Sequence, residues 1–255
     1  ASAWHDKAAA LAVAGEIAAV EDEPSVDILG EGVASPPLAG PAKIATDALV
    51  WMTPNGRRIA FPNIEVVPGR TLAITGPSGS GKTTLLALLA GLAAPTNGLI
   101  EVAGERLEGR TADAWRARLT WIGQVPHFAN ESLRANLIAS TPMRDDARLE
   151  DALAQASAEA IVRALPRGLD TRLGEAGHGV SGGEARRLMV ARALYSNAGI
   201  VLADEPTADL DPATAQAVSE GLLALAARGA TLIVATHDME LAARLDSVVD
   251  LGTGG

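Results

Sequence analysis

The sequence contains no cysteine, few aromatic residues and fewer basic than acidic residues. Without cysteine, the chain cannot form disulfides, thiolate metal sites or thiol nucleophiles. Aromatic residues make up 3% of the 255 residues and hydrophobic residues 48%, so alanine and leucine must fill most of the interior. No apolar run approaches the roughly 20 residues that a transmembrane helix needs. The net charge of −10 argues against nucleic acid as a partner, because phosphate backbones are bound by basic surfaces.

The most informative stretch is Gly-Pro-Ser-Gly-Ser-Gly-Lys-Thr at residues 76–83, which fits the phosphate-binding template G-x-x-x-x-G-K-[ST] at every position. An apolar, β-rich run precedes it at residues 71–75, and leucines with helical spacing follow it. We therefore predict a loop that leads into a helix N-terminus, where free N–H groups and the helix dipole favour an anion. Lys82 offers a positive charge to the β- and γ-phosphates, and Thr83 offers a hydroxyl to Mg²⁺. The stretch predicts nucleotide binding.

Short strand candidates alternate with helical stretches over the rest of the chain. This alternation is typical of an α/β fold with a mainly parallel core sheet and helical cover. The interval at about 125–197 has no convincing strand, and we predict a helical insertion there. The predicted strands are 71–75, 99–102, 119–122, 200–203, 232–235 and 248–251, and the predicted helices are about 83–92, 145–164, 182–197, 212–228 and 239–245.

Two further motifs are weaker when each is taken alone. Residues 200–205 are an apolar run that ends in Asp204 and Glu205. Such a strand can bring one carboxylate to a Mg²⁺ ion and another to the attacking water, although it can also simply end in a polar turn. Ser181 precedes a helical stretch, and the glycines after it leave the N–H groups uncovered. This predicts a second anion-binding helix end, and the alternative is ordinary N-capping.

With two other motifs, these stretches resemble the nucleotide-binding domain of ABC transporters over about residues 44–251. They are similar to the Walker A, Q-loop, signature, Walker B, D-loop and H-loop motifs, in the family's order. The resemblance implies a P-loop NTPase of the ABC ATPase type, with a small antiparallel β part and a helical subdomain at about 125–197. The matching residues are, in order, 76–83, Gln124, Val180 to Glu184, Asp204-Glu205, Ala208 to Asp211, and His237 in Ala-Thr-His-Asp.

The resemblance also implies a role for each motif, with ATP sandwiched between two such domains. Glu205 would be the general base or water-positioning group, His237 would contact the γ-phosphate, and Gln124 would reach the metal and the attacking water. The phosphates would be held by Gly76, Ser78, Gly79, Ser80, Gly81, Lys82, Thr83 and Thr84. The second domain would cap the γ-phosphate with Ser181, Gly182 and Gly183. The Mg²⁺ that accompanies ATP would be bound by Thr83, Asp204 and Gln124.

Two positions depart from the family pattern. Val180 stands where the signature usually has leucine, which is a mild change. Thr53 stands where the family often has a tyrosine that stacks on adenine, and Trp51 is the nearest aromatic residue. Stacking of a base on an aromatic ring is worth roughly 1–3 kcal/mol. We expect Trp51 to contact adenine, and the alternative is that Trp51 packs in the core and nothing stacks.

Several segments resemble ABC exporters in particular. Residues 171–175 are similar to the exporter X-loop, and residues 131–137 to the exporter segment after the Q-loop. The stretches around the signature and Walker B motifs are most similar to the CydDC-type exporters of cysteine and glutathione. The start of the chain resembles the end of a last transmembrane helix. We therefore expect a helical stub of a preceding transmembrane domain at 1–23, a Pro-rich linker at 24–43 and the nucleotide-binding domain at 44–255.

The resemblance predicts the ATP-hydrolysing motor of an exporter, at the cytoplasmic face of the inner (cell) membrane. Its expected partners are ATP, a second nucleotide-binding domain, identical or different, and transmembrane domains. Three alternatives remain open at this point: a soluble ABC ATPase of translation or DNA repair, the motor of another exporter or importer, and a P-loop kinase. The acidic charge argues against the first, and the signature motif together with Glu205 argues against the last.

Overall fold

The computed structural model describes residues 43–53, 55–139, 144–173 and 179–252, so the predicted stub at 1–23 and nearly all of the predicted linker lie outside it. The strands are β1 (Ile44–Met52), β2 (Arg58–Ala60), β3 (Glu65–Val66), β4 (Thr71–Thr75), β5 (Asn97–Val102), β6 (Glu105–Arg106), β7 (Leu119–Ile122), β8 (Ile200–Asp204), β9 (Thr231–Ala235) and β10 (Ser247–Asp250). The helices are α1 (Lys82–Leu89), α2 (Gly109–Arg116), α3 (Leu133–Ile138), α4 (Asp146–Gln155), α5 (Glu159–Ala164), α6 (Gly182–Ser196), α7 (Pro212–Ala227) and α8 (Met239–Ala242), with a 3₁₀ turn at Gly168–Asp170.

One of the two five-stranded sheets is parallel throughout, in the order β10-β4-β9-β8-β7. Every residue of β4, β8 and β9 is buried, because helices or the second sheet cover both faces of these strands. This burial explains why these strands are near-continuous apolar runs in the sequence. The prediction of a mainly parallel core sheet is confirmed.

The other five-stranded sheet is antiparallel and is built around β1. This strand pairs with β2, β3 and β5, and β6 extends the sheet from β5. A bulge interrupts the pairing of β1 with β5, and the Asn63 side chain accepts a hydrogen bond from the Ala48 amide beside it. The sequence pattern predicted β5, as residues 99–102. The other strands of this sheet have no strand prediction of their own from the pattern, and the resemblance implied only that a small antiparallel part is present.

The helical part lies between β7 and β8. Among the described residues of 125–197, the β pairing consists of one isolated bridge between Ser132 and Arg172. The prediction of one helix at about 145–164 was wrong in one respect, because two helices, α4 and α5, lie in this stretch. The chain turns between them at Ser157, which has a φ of 53° and cannot continue α4. Helix α1 likewise ends at Leu89, before the predicted end at about residue 92, and Gly91 follows it with a φ of 66°.

Two hydrophobic cores lie on opposite faces of the parallel sheet, because successive side chains of a strand point in opposite directions. Val201 and Ala203 of β8 join the core formed with the helical part and α7. Ile200 and Leu202 join the core formed with α1 and the antiparallel sheet, where the buried indole of Trp115 donates a hydrogen bond to the Leu89 carbonyl. Within the ranges that the structure describes, no helix has the length and apolar character needed to cross a membrane.

Candidate functional site

The loop between β4 and α1 is closed around the side chain of Lys82. Its Nζ donates to the carbonyls of Gly76, at 2.9 Å, and Pro77, at 3.3 Å. Gly81 precedes α1 with a φ of 100°, a left-handed conformation that any larger residue would adopt only under strain. Ser78 and Gly79 are exposed, Thr83 and Thr84 are half-buried, and Lys82 is 8% exposed. The predicted strand–loop–helix is therefore present, with its helix N-terminus facing the loop.

The order of the parallel strands brings the other motifs to the same edge of the sheet. β9 lies between β4 and β8, so the segments that follow these three strands are neighbours. The phosphate loop follows β4, His237 follows β9, and Asp204 and Glu205 lie at the end of β8. The carboxyl ends of parallel strands are where open α/β sheets bind ligands.

Direct contacts join these motifs. The Thr83 hydroxyl donates to Asp204 Oδ2 at 2.8 Å. Lys82 Nζ lies 3.1 Å from Glu205 Oε1, and Nδ1 of His237 lies 2.8 Å from Glu205 Oε2. The His237 amide also donates to Oε2, at 3.2 Å. The Glu205 carboxylate thus lies between the phosphate loop and His237.

Glu205 has an unusual backbone conformation, with a φ of 45°. This left-handed region costs a non-glycine residue about 1–2 kcal/mol. Its amide donates to the Ala235 carbonyl at 2.8 Å, which ties the turn after β8 to the end of β9. Such outliers persist where the surrounding structure holds them, and they are concentrated at functional sites.

Two buried oxygens of the site have no hydrogen-bond partner among the described residues, namely Ser80 Oγ and Asp204 Oδ1. An unpaired buried oxygen is costly, so each marks a place where a ligand can complete the site. Nowhere in the described ranges do three or more His, Asp or Glu side chains form a group that could hold a metal alone. The Thr83 hydroxyl and the Asp204 carboxylate are oxygen donors of the kind that Mg²⁺ takes, and phosphate and water oxygens usually supply its remaining ligands.

Burial raises the pKa of the Asp204 carboxyl to about 6. The hydrogen bond from Thr83 and the positive charge of Lys82 act in the opposite direction, and the nearby Glu205 charge adds to the increase. Asp204 is 1% exposed, so its charged form is poorly solvated in the nucleotide-free chain. A bound cation would stabilise that charged form.

The predicted signature residues form the N-terminus of α6. Ser181 caps α6 in a capping box, because its Oγ accepts from the Glu184 amide and its own amide donates to the Glu184 carboxylate. Ser181 and Gly182 are exposed, and Gly183 is half-buried. No hydrogen bond or ion pair among the described residues links Ser181–Gly183 to 76–84. Most of the segment before the signature, 174–178, lies outside the described residues.

A Cβ on Gly183 would lie 2.8 Å from Thr214 Cγ2, so the start of α6 approaches the start of α7 too closely for a side chain. Gln124 is exposed and follows β7, at the same edge of the parallel sheet as the phosphate loop. The structure gives it no contact with Thr83 or Asp204 within the described ranges.

Trp51 lies opposite Ile59 in the β1–β2 pair, so both side chains are on one face of the antiparallel sheet. A Cβ on Gly81 would lie 3.4 Å from Ile59, which places that face next to the phosphate loop. Trp51 is half-buried against the neighbouring core. Thr53 forms the turn itself, since its hydroxyl accepts from the Arg57 amide and donates to the Arg57 carbonyl.

Sequence reasoning missed Arg186, which is buried and donates to the carbonyls of Glu205, Pro206 and Ala208. One signal in the sequence could have indicated it. Arg186 lies four residues before Val190 and seven before Ala193, so it shares the core face of α6 with them. A basic residue on a buried helix face needs partners, and here they are main-chain oxygens next to the site.

This fold and site define a class of protein: a P-loop nucleotide-binding protein in which carboxylates follow a strand of the parallel sheet. Comparison with known families identifies the class further. The family model described as ABC transporter matches residues 62–208, more than half of the chain. The chain belongs to the ABC transporter family, and it is an ATP-binding ATPase domain of that family, as the sequence predicts.

Curated relatives agree with this assignment. The transport ATP-binding protein AarD of Providencia stuartii is 34% identical over 215 residues, which cover 84% of this chain and 36% of the relative. The glutathione/L-cysteine transport system ATP-binding/permease protein CydD of Escherichia coli is 33% identical over 238 residues, covering 93% of this chain and 40% of that protein. The chain therefore spans about two fifths of the length of these relatives.

A solved structure, described as a bacterial Atm1-family ABC exporter with ATP bound, matches with a TM-score of 0.78 at 28% identity. The match covers 94% of this chain and 42% of that one. The predicted exporter resemblance is therefore confirmed at the level of the fold and of similar proteins.

The raised pKa of Asp204 predicts how stability depends on pH. The unfolded carboxyl loses its proton near pH 3.8 and the folded one near pH 6. Between these values the folded chain holds more protons, so the free energy of unfolding falls as pH rises and stays lower above pH 6. We expect Asp204→Asn to stabilise the nucleotide-free chain by up to about 3 kcal/mol at pH 8 and about half as much at pH 5.

Urea unfolding at the two pH values measures this effect. Asp246→Asn is the control, and its effect on the free energy of unfolding should have the opposite sign. Hydrogen bonds from the Thr71 amide and hydroxyl lower the pKa of that exposed carboxyl. The substitution should therefore destabilise the chain at pH 8. An Asp204→Asn chain no more stable than wild type at pH 8 would contradict the stated role of burial.

Proposed function

We propose that this chain is the motor domain of an ABC exporter, which binds Mg·ATP at residues 76–84 and hydrolyses it between two such domains. The observation that carries the proposal is the contact set of Lys82, Thr83, Asp204, Glu205 and His237 at one edge of the sheet. These groups pair with one another. Lys82 and His237 can transfer their hydrogen bonds to a polyphosphate, the oxygens of Thr83 and Asp204 can accept a cation, and the Glu205 carboxylate can accept a hydrogen bond from water.

Lys82 is the principal phosphate contact in this proposal. Its ammonium now lies among two loop carbonyls and the Glu205 carboxylate. Phosphate oxygens would replace these partners, and the amides of the loop and of α1 would bind the remaining oxygens. Ser78, Gly79 and Thr84 line the same loop, and the unpaired Ser80 Oγ points to a further contact there.

Thr83 and Asp204, with Gln124 approaching from the end of β7, would hold the Mg²⁺ ion. When bound, the ion neutralises charge on the phosphate oxygens and orients them. The unpaired Oδ1 of Asp204 supports this assignment, because one oxygen already accepts from Thr83 and the other is left for a ligand.

Glu205 would polarise the attacking water once Lys82 has moved to the phosphates. A carboxylate within hydrogen-bond reach of water can take its proton as the bond to phosphorus forms. His237 already contacts the same carboxylate, and 66% of its side chain is exposed, so it can reach a γ-phosphate as well. This pairing would fix the orientation of the Glu205 side chain.

The exposed N-terminus of α6 supports a sandwich of two domains. Its capping box satisfies Ser181 and Glu184, and the amides of Gly182, which is exposed, and Gly183, which is half-buried, follow the cap at the helix N-terminus. The γ-phosphate held by a second domain is a matching anion. The second domain can be identical or different.

The coupling to transport is proposed from the relatives. Gln124 and the helical part at about 125–197 would link the nucleotide site to transmembrane domains, with residues 1–23 as a helical stub, 24–43 as a linker and 44–255 as the motor. The motor would then work at the cytoplasmic face of the inner (cell) membrane. The similarity to CydD favours a thiol such as cysteine or glutathione as cargo. The similarity to an ATP-dependent lipid A-core flippase, 38% identical over 198 residues, favours a different exporter as the second candidate.

Lys82→Ala tests the nucleotide site. Removing a charged partner of a buried phosphate should weaken Mg·ATP binding by at least 2 kcal/mol, or about 30-fold. Titration with a fluorescent ATP analogue measures the affinity. Lys43→Ala is the control, because Lys43 pairs with Glu65 on the exposed surface. Equal affinity of Lys82→Ala and wild type would refute the assignment of the site.

Glu205→Gln tests the sandwich. The amide keeps the shape of the side chain but cannot take a proton, so bound ATP should persist and hold two domains together. Size-exclusion chromatography with Mg·ATP should show a dimer that Ser181→Arg abolishes and Ser181→Thr, which keeps the helix cap, retains. A Glu205→Gln chain that remains monomeric at saturating Mg·ATP, both alone and with a second nucleotide-binding domain of its transporter, would contradict the mechanism.

Trp51 is proposed to stack on adenine. Trp51→Leu should weaken ATP binding by roughly 1–3 kcal/mol, while Trp51→Phe, which keeps a ring, should lose much less. Binding of inorganic tripolyphosphate should be the same in all three chains, because it has no base. If Trp51→Leu weakens ATP and tripolyphosphate equally, the effect is on the loop and the stacking proposal is wrong.

A further inference from the structure

The carbonyl groups of the turn after β8 converge on one nitrogen atom. Nη1 of Arg186 lies 3.0 Å from the carbonyl oxygen of Glu205, 3.0 Å from that of Pro206 and 2.8 Å from that of Ala208. Three oxygens that point at one position repel each other unless a strong donor lies between them. A guanidinium supplies both the donors and the positive charge, and charge-assisted hydrogen bonds are the stronger kind.

The turn that Arg186 holds has a strained backbone. Glu205 adopts the left-handed region although it is not a glycine, and Asp209 in the same turn also has a positive φ, of 59°. The Glu205 amide is fixed to β9 by the Ala235 carbonyl, and its own carbonyl is fixed to α6 by Arg186. These two bonds, on either side of the Glu205 Cα, fix the backbone from which its side chain projects.

The location of Arg186 within α6 suits it to hold the turn after β8 in place. It lies in the second turn of α6, where it is 8% exposed and shares the core face of the helix. The close approach of Gly183 to Thr214 and Leu210 packs the start of α6 directly onto the segment that follows the turn. The adjacent Arg187 takes a different direction and donates to the Ser157 carbonyl in the helical part.

We propose that Arg186 is a positioning residue for the Glu205 carboxylate, which it holds in reach of the attacking water by fixing the turn through its three carbonyls. The proposal rests on the function proposed above for Glu205. It assigns Arg186 no contact with ATP. Removing Arg186 should therefore reduce the rate of hydrolysis and leave nucleotide binding nearly unchanged, because Lys82, Thr83 and the loop remain in place.

The first measurement is steady-state ATP hydrolysis by the 255-residue chain with Arg186→Gln. We expect kcat to fall 10- to 100-fold, as displacement of a reacting group by about 1 Å can cost. The KM for ATP and the affinity for a fluorescent ATP analogue should change less than threefold. Arg186→Lys keeps a positive donor without the planar fork, so its kcat should be intermediate, about three- to tenfold below wild type.

The control is Arg228→Gln. Arg228 also donates to a carbonyl of α6, that of Leu194, and pairs with Asp151, but it does so at the opposite end of the helix. It should lower thermal stability without a comparable loss of kcat. This comparison separates a general loosening of α6 from a specific displacement of Glu205.

A double-mutant cycle makes the decisive test. If Arg186 acts through Glu205, adding Arg186→Gln to Glu205→Gln should change the residual rate less than threefold, because the group it positions is already absent. If Arg186→Gln does not fold, the same cycle is measured with Arg186→Lys. Losses of kcat that multiply in the double variant, or a wild-type kcat in folded Arg186 variants, would overturn the proposal. A wild-type chain that hydrolyses no ATP would instead refute the proposed function.

Discussion

The parallel pairing of β4, β9 and β8 is the constraint on which the whole site depends. Because β9 lies between the other two strands, the segments after all three leave the sheet at one edge, within reach of each other's side chains. Residues more than 120 positions apart, such as Thr83 and Asp204, thereby come within one hydrogen bond. The two cores on opposite faces of the sheet keep these strands in register, so the site is carried by the most deeply buried part of the chain.

Three features of the site are unfavourable by themselves. The Asp204 carboxylate is buried with one oxygen unpaired, Ser80 Oγ is unpaired as well, and Glu205 adopts a conformation that non-glycine residues avoid. Lys82 compensates part of this cost by pairing with Glu205 and two carbonyls. These contacts involve the same groups that would bind phosphate and water, so ligand binding and the internal pairing compete for the same donors. Such competition is the physical basis on which nucleotide could change the structure of the site.

Helix α6 connects two regions that the proposed mechanism uses separately. Its exposed N-terminus is suited to an anion on a second domain, and its second turn reaches the carbonyls that follow β8 through Arg186. The absence of a side chain at Gly183 lets the helix pack directly against Leu210 and Thr214. Helix α6 is therefore in direct contact with the turn that carries Glu205.

The sequence by itself determined the local elements and the family. The phosphate loop, the apolar strands and the capping residue Ser181 are local patterns, and each depends on neighbouring residues only. The tertiary structure decided the rest. It showed that helix 145–164 is broken at Ser157, that Thr53 is engaged in its own turn, and that Lys82 pairs with Glu205. It also revealed Arg186, whose partners lie 19 to 22 positions away on another element, because a buried charge is explained only by the groups that packing brings to it.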